Sequence, residues 1–304
     1  MQTPFQRVCV RGLDVVVKRD DLLYLSGNKF RKLYWLVNKD PTFFDQSHIV
    51  SYGGLQSNAM LAIAQLAHMK SVPFTYFTKH IDVKPETVTS NFQLATALGM
   101  QHALLSASEY DELATTRQFD PVVPPHVTKW IGIPQGGATA DAEEGVRVLA
   151  EEINTFALTA NKAVTVLMPC GTGTTALYVA KHVDAAIDVL AVPCVGGANY
   201  LETQWRALDP TINGPRILAP RKKVAFGSLW KPLLATYYEL LAATDIEFDL
   251  VYACLAWHTL FDALETRVLD LSERQLLYVH CGGVSGNPGQ LARYHRRWPL
   301  SPES

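Results

Sequence analysis

The segment best suited to binding chemistry is a run of glycines and threonines over residues 169–176, with the sequence Pro-Cys-Gly-Thr-Gly-Thr-Thr-Ala. An apolar run precedes it, and a helical pattern that ends near His182 follows it. At such a strand-to-helix turn, unpaired backbone N–H groups and threonine hydroxyls face any anion at the start of the helix. The sequence therefore predicts a phosphate site here, most simply for a single phosphate monoester.

The same segment matches the dinucleotide pattern G-x-G-x-x-A, which gives an alternative interpretation. That pattern also requires an acidic residue near the end of the next strand, where it holds a ribose hydroxyl. The next strand ends over residues 192–196 without an acid, and Asp188 lies at its beginning, where it would point to the wrong edge. A nucleotide-binding oxidoreductase is therefore the weaker interpretation.

Lys29 is the candidate nucleophile. It lies in the segment Ser-Gly-Asn-Lys-Phe-Arg-Lys-Leu (26–33), in which residues 26–28 can end a loop and residues 30–37 can continue as a helix. The positive end of a helix dipole disfavours the charged form of a nearby lysine and so favours its use as a nucleophilic amine. Most lysines are solvated surface residues, so Lys29 predicts chemistry only in combination with other motifs.

The elements that must position these segments alternate between short β-rich runs and longer helical patterns. Strands are predicted over residues 48–52, 73–78 and 102–106, and helices over residues 59–69, 85–98 and 108–117. Such alternation predicts an α/β fold with doubly wound parallel sheets.

Glycine pairs follow several of the apolar runs and mark predicted strand ends. They are Gly53-Gly54, Gly136-Gly137, Gly196-Gly197 and Gly282-Gly283, and Gly171 and Gly173 follow a fifth run. The carboxyl ends of parallel strands share one sheet edge, where ligands bind, and glycine lets the backbone approach a bound group closely. We expect these segments to meet at one ligand crevice.

The composition limits the classes of partner. The chain has 304 residues, with 27 Lys plus Arg against 29 Asp plus Glu and a formal net charge of −2. This length suggests one large or two medium domains, and the balanced charge disfavours a nucleic-acid partner. The sequence has no signal-peptide pattern and no run of about 18 apolar residues, so we expect a cytoplasmic protein without a membrane partner.

The cysteines and histidines favour neither disulfides nor a metal site. The five cysteines include no C-x-x-C pair, and the nine histidines include no pair at helical i, i+4 spacing. We therefore expect reduced thiols and no bound metal. Cys9 and Cys194 are interpreted as small apolar residues of the core.

Several motifs together resemble the D-cysteine desulfhydrase and 1-aminocyclopropane-1-carboxylate deaminase family. Lys-Arg-Asp-Asp (18–21) followed by residues 26–33 resembles the family's Schiff-base lysine segment. Gly-Gly-Leu-Gln-Ser-Asn (53–58) resembles its G-G-x-Q-S-N element, and the loop 171–175 resembles its cofactor-phosphate cup. Segments 133–137, 249–252 and 280–283 also resemble family segments in the same order, so the resemblance covers about residues 10–284.

The resemblance implies a pyridoxal 5′-phosphate (PLP) enzyme of fold type II, similar to the tryptophan synthase β subunit. Two doubly wound parallel-sheet domains would hold the cofactor between them. The large PLP-binding domain would comprise residues 1–45 and 136–304, and the small inserted α/β domain residues 46–135. A small amino-acid substrate and a homodimer are also implied.

The resemblance further implies roles for individual residues. Lys29 would carry the cofactor, Asn58 would lie near its phenolic oxygen, and Cys281 would lie next to its pyridine nitrogen. Lys29 or Ser57 would take the Cα proton, and Tyr252 would assist the leaving group or orient the substrate. The substrate would contact Gln56, Ser57 and Asn58, and the cofactor phosphate would contact Gly171, Thr172, Gly173, Thr174 and Thr175.

Departures from the family pattern bear on the substrate. Family members commonly carry Thr at the position of Cys281, and deaminases carry Glu at the position of Ala253. A thiol leaves the pyridine nitrogen largely neutral, which suits β-elimination better than the opening of a cyclopropane ring. Ala59 and Leu61 stand where the family has polar or basic residues, which leaves the identity and stereochemistry of the substrate open.

The sequence thus predicts a PLP-dependent lyase or deaminase of a small amino acid. D-cysteine desulfhydrase-like β-elimination to pyruvate, ammonia and sulfide is the preferred activity. One alternative is 1-aminocyclopropane-1-carboxylate deaminase activity, which would give 2-oxobutanoate and ammonia. The other, from a different class, is a non-catalytic protein that binds PLP or another ligand.

Overall fold

The computed structural model describes residues 1–80 and 90–299. Its strands are β1 Phe5–Val10, β2 Leu13–Lys18, β3 His48–Tyr52, β4 Phe74–Lys79, β5 Gln101–Leu105, β6 Trp130–Ile133, β7 Ala163–Cys170, β8 Asp188–Pro193, β9 Arg216–Ile217 and β10 Arg274–Val279. Its α-helices are α1 Lys29–Lys32, α2 Tyr34–Val37, α3 Asn58–Lys70, α4 Ser90–Ala97, α5 Ala107–Thr116, α6 Ala142–Thr159, α7 Thr174–His182, α8 Ala198–Leu208, α9 Lys231–Thr244, α10 Ala253–Glu265 and α11 Asn287–Arg297. The predicted alternation of strands and helices is confirmed.

The strands form two sheets. The larger has the order β1-β2-β10-β7-β8-β9, and the smaller has the order β5-β4-β3-β6. Every pairing is parallel except that of β1 with β2, which form an antiparallel hairpin at one edge. The α/β class with two parallel sheets is therefore confirmed, and the hairpin is an addition that the sequence pattern did not predict.

The hairpin overturns one minor expectation. Cys9 lies on the edge strand β1 and is exposed, whereas Cys194 is buried as expected. An edge strand has a neighbour on one side only, so its side chains are covered less completely than those of central strands.

The smaller sheet takes all four strands from residues 48–133. This range falls inside the segment predicted to form the inserted domain. The domain boundaries themselves, 1–45 with 136–304 and 46–135, stay a prediction.

The larger sheet is buried on both faces, as parallel sheets usually are. Successive residues of one strand belong to different core clusters: Leu167 packs with α9 and α10, whereas Val166 packs with α6 and α7. Leu276 and Leu277 divide in the same way. Helices therefore cover both faces and leave the carboxyl ends of the strands free to form a site.

Two local features differ from the predicted elements. The predicted helix over 30–37 is divided into α1 and α2 at Leu33, which has φ −97° and ψ 5°. The predicted helix over 85–98 is observed from Ser90 to Ala97, and residues 85–89 lie outside the described part of the chain. Among the described helices, none has the length and apolar character that a membrane span requires.

Candidate active site

The carboxyl ends of strands from both sheets border one cavity. Every predicted site residue except Gln56 lines it: Lys29, Ser57, Asn58, Gly171, Thr172, Gly173, Thr174, Thr175, Tyr252 and Cys281. Gln56 instead lines an adjacent cavity. The tertiary structure thus brings together segments that are far apart in the sequence.

The glycine-marked strand ends meet at this cavity with one exception. Gly54, Gly136, Gly171 and Gly282 line it. The pair Gly196-Gly197 follows β8 as predicted but lines a neighbouring cavity. The expectation of a shared crevice is therefore wrong for that pair, because the loop after β8 turns towards residues 219–226.

A tight loop contact places Lys29 in the cavity. The Asn28 N–H donates to the Cys281 carbonyl at 3.1 Å, which joins the loop before α1 to the end of β10. Gly27 has φ +75°, and a Cβ atom there would lie 2.5 Å from the Cys281 carbonyl oxygen. Only glycine allows this approach, so the Ser-Gly-Asn sequence brings the lysine to the strand end.

Buried ion pairs hold α1 in position on the protein core. Arg31 donates to both carboxylate oxygens of Asp20, at 2.5 and 2.7 Å, and to Glu152 at 3.1 Å. Lys18 donates to the same Glu152 carboxylate. We call Lys18, Asp20, Arg31 and Glu152 the internal ion network. It ties the first helical turn after Lys29 to β2 and α6.

The Lys29 amine is held by a neutral group. Its Nζ donates to Asn28 Oδ1 at 2.9 Å. Burial lowers the pKa of Lys29, and the attraction of Cys281 and Asp249 opposes this shift only in part. A lysine with a lowered pKa has a larger fraction of free amine, which is the form that attacks a carbonyl carbon.

Lys32 is a second lysine that lines this cavity, and the sequence did not single it out. It is 5% exposed, and its Nζ donates to the Gly136 carbonyl at 3.0 Å. Burial, followed by repulsion from Lys29, lowers the pKa of Lys32 to about 7. The i, i+3 spacing of the two lysines places them on one helix face, and this spacing is the signal that could have identified Lys32.

The threonine loop offers hydrogen-bond donors to an anion. Helix α7 begins at Thr174, and its first backbone bond runs from the Leu177 N–H to the Gly173 carbonyl at 3.0 Å. The preceding N–H groups have no helical carbonyl to bind. The Thr172 and Thr174 hydroxyls lie 3.0 Å apart, and both residues are buried. The predicted anion site therefore has the expected local geometry.

Lys32 lies beside this loop. Gly136, whose carbonyl accepts the hydrogen bond from Lys32, packs against the threonine loop. A Cβ atom on Gly136 would be 2.9 Å from the Thr172 Cγ2 atom. An ammonium group and the amino end of a helix thus face the same part of the cavity. Both favour a negatively charged group there.

Asp249 positions Tyr252. Its Oδ1 accepts hydrogen bonds from the N–H groups of Val251 at 3.1 Å and Tyr252 at 2.6 Å, and its Oδ2 accepts one from Ala253 at 2.9 Å. The Tyr252 ring packs edge-on against Phe226, with ring centroids 5.3 Å apart. Burial raises the pKa of Tyr252 well above its usual range, so its hydroxyl is a hydrogen-bond donor at neutral pH.

Cys281 is a neutral thiol at the cavity wall. Burial is the main cause that raises its pKa, to about 12, and the nearby Lys29 ammonium opposes the shift. The thiol therefore keeps its proton at neutral pH. It cannot supply the negative charge that a carboxylate would bring to this position.

Ser57 caps α3 and Asn58 is its first residue, one position before the predicted start. The Ser57 hydroxyl accepts a hydrogen bond from the Met60 N–H at 3.2 Å and so caps the helix. Asn91, which the sequence analysis did not identify, donates to Asn58 Oδ1 at 2.7 Å and accepts from the Ser285 hydroxyl at 2.8 Å. This arrangement fixes the Asn58 amide at the edge of the cavity.

The part of the chain that the structure describes has no cluster of three or more acidic, His or Cys side chains placed to hold a metal ion.

Comparisons with known proteins identify the fold class. No family model matches the sequence, and no curated protein matches it. Solved structures do match over almost the whole chain, and they are fold type II PLP-dependent enzymes. The predicted fold type, similar to the tryptophan synthase β subunit, is therefore confirmed.

Three of these structures illustrate the likeness. An ACC deaminase homologue has 19% identity and a TM-score of 0.70, over 96% of this chain and 94% of that chain. A hydrogen sulfide-producing enzyme from Fusobacterium nucleatum has 14% identity and a TM-score of 0.64, over 92% and 93%. A pyridoxal 5′-phosphate-dependent aspartate racemase has 12% identity and a TM-score of 0.62, over 93% and 90%.

The residues present fit PLP. The cofactor needs a primary amine for its aldehyde and donors for its phosphate group. Lys29 supplies an amine of lowered pKa, and the amino end of α7 with Lys32 supplies the donors. The amine and the donors line one cavity, as a single ligand requires.

Proposed function

We propose that the protein is a PLP-dependent lyase that removes a β-substituent from a small amino acid, as in the D-cysteine desulfhydrase and 1-aminocyclopropane-1-carboxylate deaminase family. The observation that carries the proposal is a pair of lysines in one cavity, half-buried Lys29 beside Cys281 and buried Lys32 beside the threonine loop, for which no carboxylate partner is found within residues 1–80 and 90–299. Two amines without an anionic partner in one cavity lower the stability of the folded protein unless a bound ligand contacts them.

The proposed cofactor would bind Lys29 covalently and would be anchored by its phosphate. Gly171, Thr172, Gly173, Thr174 and Thr175 would surround the phosphate, and Lys32 would neutralise part of its charge. When bound, PLP withdraws electrons from the substrate Cα and so acidifies the Cα–H bond. The protein's part is to orient the substrate and to move protons.

Proton removal at Cα is assigned to Lys29 or Ser57. The lowered pKa of Lys29 increases the fraction of free amine, which is the form that could accept the Cα proton. Ser57 lies at the amino end of α3, where its hydroxyl and the helix N–H groups can also bind the substrate carboxylate.

Assistance to the departing β-substituent is assigned to Tyr252 as a hydrogen-bond donor. Its hydroxyl is protonated at neutral pH, and Asp249 fixes its backbone. If Cys281 lies next to the ring nitrogen of the bound cofactor, its neutral thiol would give that nitrogen no negative partner, which would favour elimination over reactions that need a long-lived carbanion. D-cysteine is therefore the first substrate to test, ahead of 1-aminocyclopropane-1-carboxylate.

The test is the visible absorbance of the purified protein, recorded before and after addition of D-cysteine, L-cysteine, D-serine or 1-aminocyclopropane-1-carboxylate. Keto acids are assayed in the same samples. We expect a yellow protein whose spectrum responds to D-cysteine and that produces pyruvate. A yellow protein that yields 2-oxobutanoate from the cyclopropane substrate instead would replace the proposed activity by the deaminase activity.

Two outcomes would remove the proposed activity altogether. A yellow protein that is inert to every substrate would retain the cofactor but lose the assignment of these substrates. A colourless protein that does not take up added PLP would point to a different ligand for the cavity.

A further inference from the structure

A second cavity opens beside the candidate active site. The two cavities share Asn58, Phe226, Asp249 and Tyr252 as a common wall. We call the second one the distal cavity. It continues from the shared wall to Gln56 and to one face of α11, where Arg293 and Arg296 line it.

Arg293 is held in place by neutral groups. Its Nη1 donates to the Gly227 carbonyl at 2.9 Å and to Gln290 Oε1 at 2.7 Å. Gln290 is only 6% exposed and donates its own amide to the same Gly227 carbonyl at 3.2 Å. The guanidinium is therefore fixed in orientation by groups that carry no charge.

No ion pair among the described residues includes Arg293 or Arg296. Asp249 is the one acidic residue that the described chain contributes to this cavity. Its carboxylate already accepts hydrogen bonds from three backbone N–H groups at the start of α10. Within residues 1–80 and 90–299, the lining of the distal cavity thus holds two arginines against one carboxylate that is already hydrogen-bonded, and it can receive an anion.

Because the two cavities share a wall, one substrate molecule could extend from the candidate active site into the distal cavity and carry the anionic group there. Under the proposed function, the reacting carbon lies near Lys29 and the leaving group near Tyr252, which borders both cavities. Gln56, directly before the proposed carboxylate-binding Ser57, also lines the distal cavity. A β-substituent longer than a thiol would pass Tyr252 and enter the distal cavity.

We infer that the preferred substrate is an amino acid whose β-substituent ends in an anionic group, which Arg293 binds with help from Arg296. This inference rests on the proposed function and narrows its substrate class. D-cysteine would react without filling the distal cavity. A substrate with a carboxylate on its β-substituent would fill both cavities.

The reaction balances with water alone. The Cα proton is transferred to Lys29 or Ser57, and the Cβ–S bond breaks with its electron pair on sulfur. The Tyr252 hydroxyl donates a hydrogen bond to the leaving thiolate and keeps its own proton, and the thiolate takes up the proton that Lys29 or Ser57 removed from Cα, so each side chain returns to its starting state. The enamine product adds water and loses ammonia, so substrate and water give pyruvate, ammonia and a thiol that carries the anionic group.

The test compares two substrates of equal shape. S-carboxymethyl-cysteine carries a distal carboxylate, and S-carbamoylmethyl-cysteine carries a neutral amide at the same position. Pyruvate formation by the PLP-loaded protein is measured for both enantiomers of each. We expect kcat/KM for the carboxylate to exceed that for the amide by about tenfold to a hundredfold, the range of a charge-assisted hydrogen bond.

Arg293→Gln should remove most of this preference, because the distal carboxylate loses a charge-assisted hydrogen bond whereas the amide loses only a weaker one. Arg296→Gln should reduce the preference to a smaller extent, since Arg296 is exposed. Arg297→Gln is the matched control. It removes the same charge from α11, but Arg297 packs on Trp298 outside the distal cavity.

Calorimetry on the PLP-free protein supplies a readout without turnover. The carboxylate compound should bind more tightly than the amide to the wild type, and the difference should be much smaller for Arg293→Gln. A PLP-loaded protein that turns over both substrates equally would overturn the distal-site inference and leave the proposed function standing. An equal decrease of kcat/KM for the carboxylate and the amide substrate in Arg293→Gln would also overturn the distal-site inference. Failure to bind PLP would instead count against the proposed function.

Discussion

Two regions inside this protein contain basic side chains that are a few residues apart in the sequence, and the two regions differ in whether these side chains have carboxylate partners. In the internal ion network, the Arg31 guanidinium has carboxylate partners on both sides, Asp20 and Glu152. In the candidate active site, Lys29 and Lys32 have only an amide oxygen and a backbone carbonyl as partners. The same short segment of chain, residues 29–32, contributes to both regions.

The pKa shifts follow this difference. The pKa of Arg31 is raised, because its carboxylate partners outweigh the effect of burial. The pKa values of Lys29 and Lys32 are lowered, because burial is not compensated by an anion. Lys18 is intermediate: burial lowers its pKa, and Glu152 opposes the shift. A buried cation whose carboxylate partners come from the protein itself belongs to a structural site. A buried cation without such a partner is available to bind an anionic ligand.

The largest expected effect is on chemistry. Lys29→Ala should lower turnover by at least about a thousandfold, because it removes the amine that carries the cofactor and accepts the proton. It should also abolish the visible absorbance of lysine-bound PLP. Lys223→Ala, at an exposed position, is the matched control and should keep both properties. A Lys29→Ala protein that retained colour and turnover would show that another residue carries the cofactor.

The next effect is on stability and concerns the internal ion network. Asp20→Asn should lower the free energy of unfolding by roughly 3–5 kcal/mol, because it leaves the fully buried Arg31 with one carboxylate fewer. Urea denaturation measures this change. Asp111→Asn is the control: it breaks an exposed pair with Lys79 and should cost less than about 1 kcal/mol. Equal costs for the two variants would contradict the contrast drawn above.

A substitution of Lys32 should raise the free energy of unfolding, in contrast to Asp20→Asn. Lys32→Met removes a buried ammonium that has no anionic partner, so the PLP-free protein should gain roughly 1–4 kcal/mol of stability at pH 6. The same variant should bind PLP and sulfate about tenfold to a hundredfold more weakly, since it loses a charge-assisted contact. Denaturation and equilibrium binding measure the two effects. A Lys32→Met protein that lost stability without ligand would show that Lys32 is structural.

The last expected effect is a pH dependence, which develops gradually over several pH units. Lys32 has a folded-state pKa of about 7 against 10.5 in the unfolded chain, so the unfolded state binds more protons between these values. The stability of the PLP-free protein should therefore rise with pH across this window. Sulfate does not titrate here and binds the charged lysine, so its affinity should fall above pH 7 by up to about tenfold per pH unit.

Lys32→Met provides the control for both pH profiles. It should flatten the rise in stability and the fall in sulfate affinity, because the titrating amine is gone. Unchanged profiles in this variant would assign the titration to another group, with Lys29 as the first to examine.

Much of the site could be predicted from local sequence. The threonine loop, the loop before Lys29 and the start of α3 each carry a short motif whose backbone geometry follows from glycine and helix-capping rules. Asn91 and Arg293 could not be identified in this way. Each acts through a partner distant in the sequence, such as Asn58 for Asn91 and Gly227 for Arg293.

The sequence by itself determined the alternation of elements, the strand ends marked by glycine and the candidate lysine, because these depend on residues that are neighbours along the chain. Only the tertiary structure decided which buried cations acquire carboxylate partners and which do not. Glu152 approaches Lys18 and Arg31 across more than a hundred residues of chain, whereas no acid approaches Lys32 within the described residues. Charge compensation depends on distance in space, and the order of residues does not encode that distance locally.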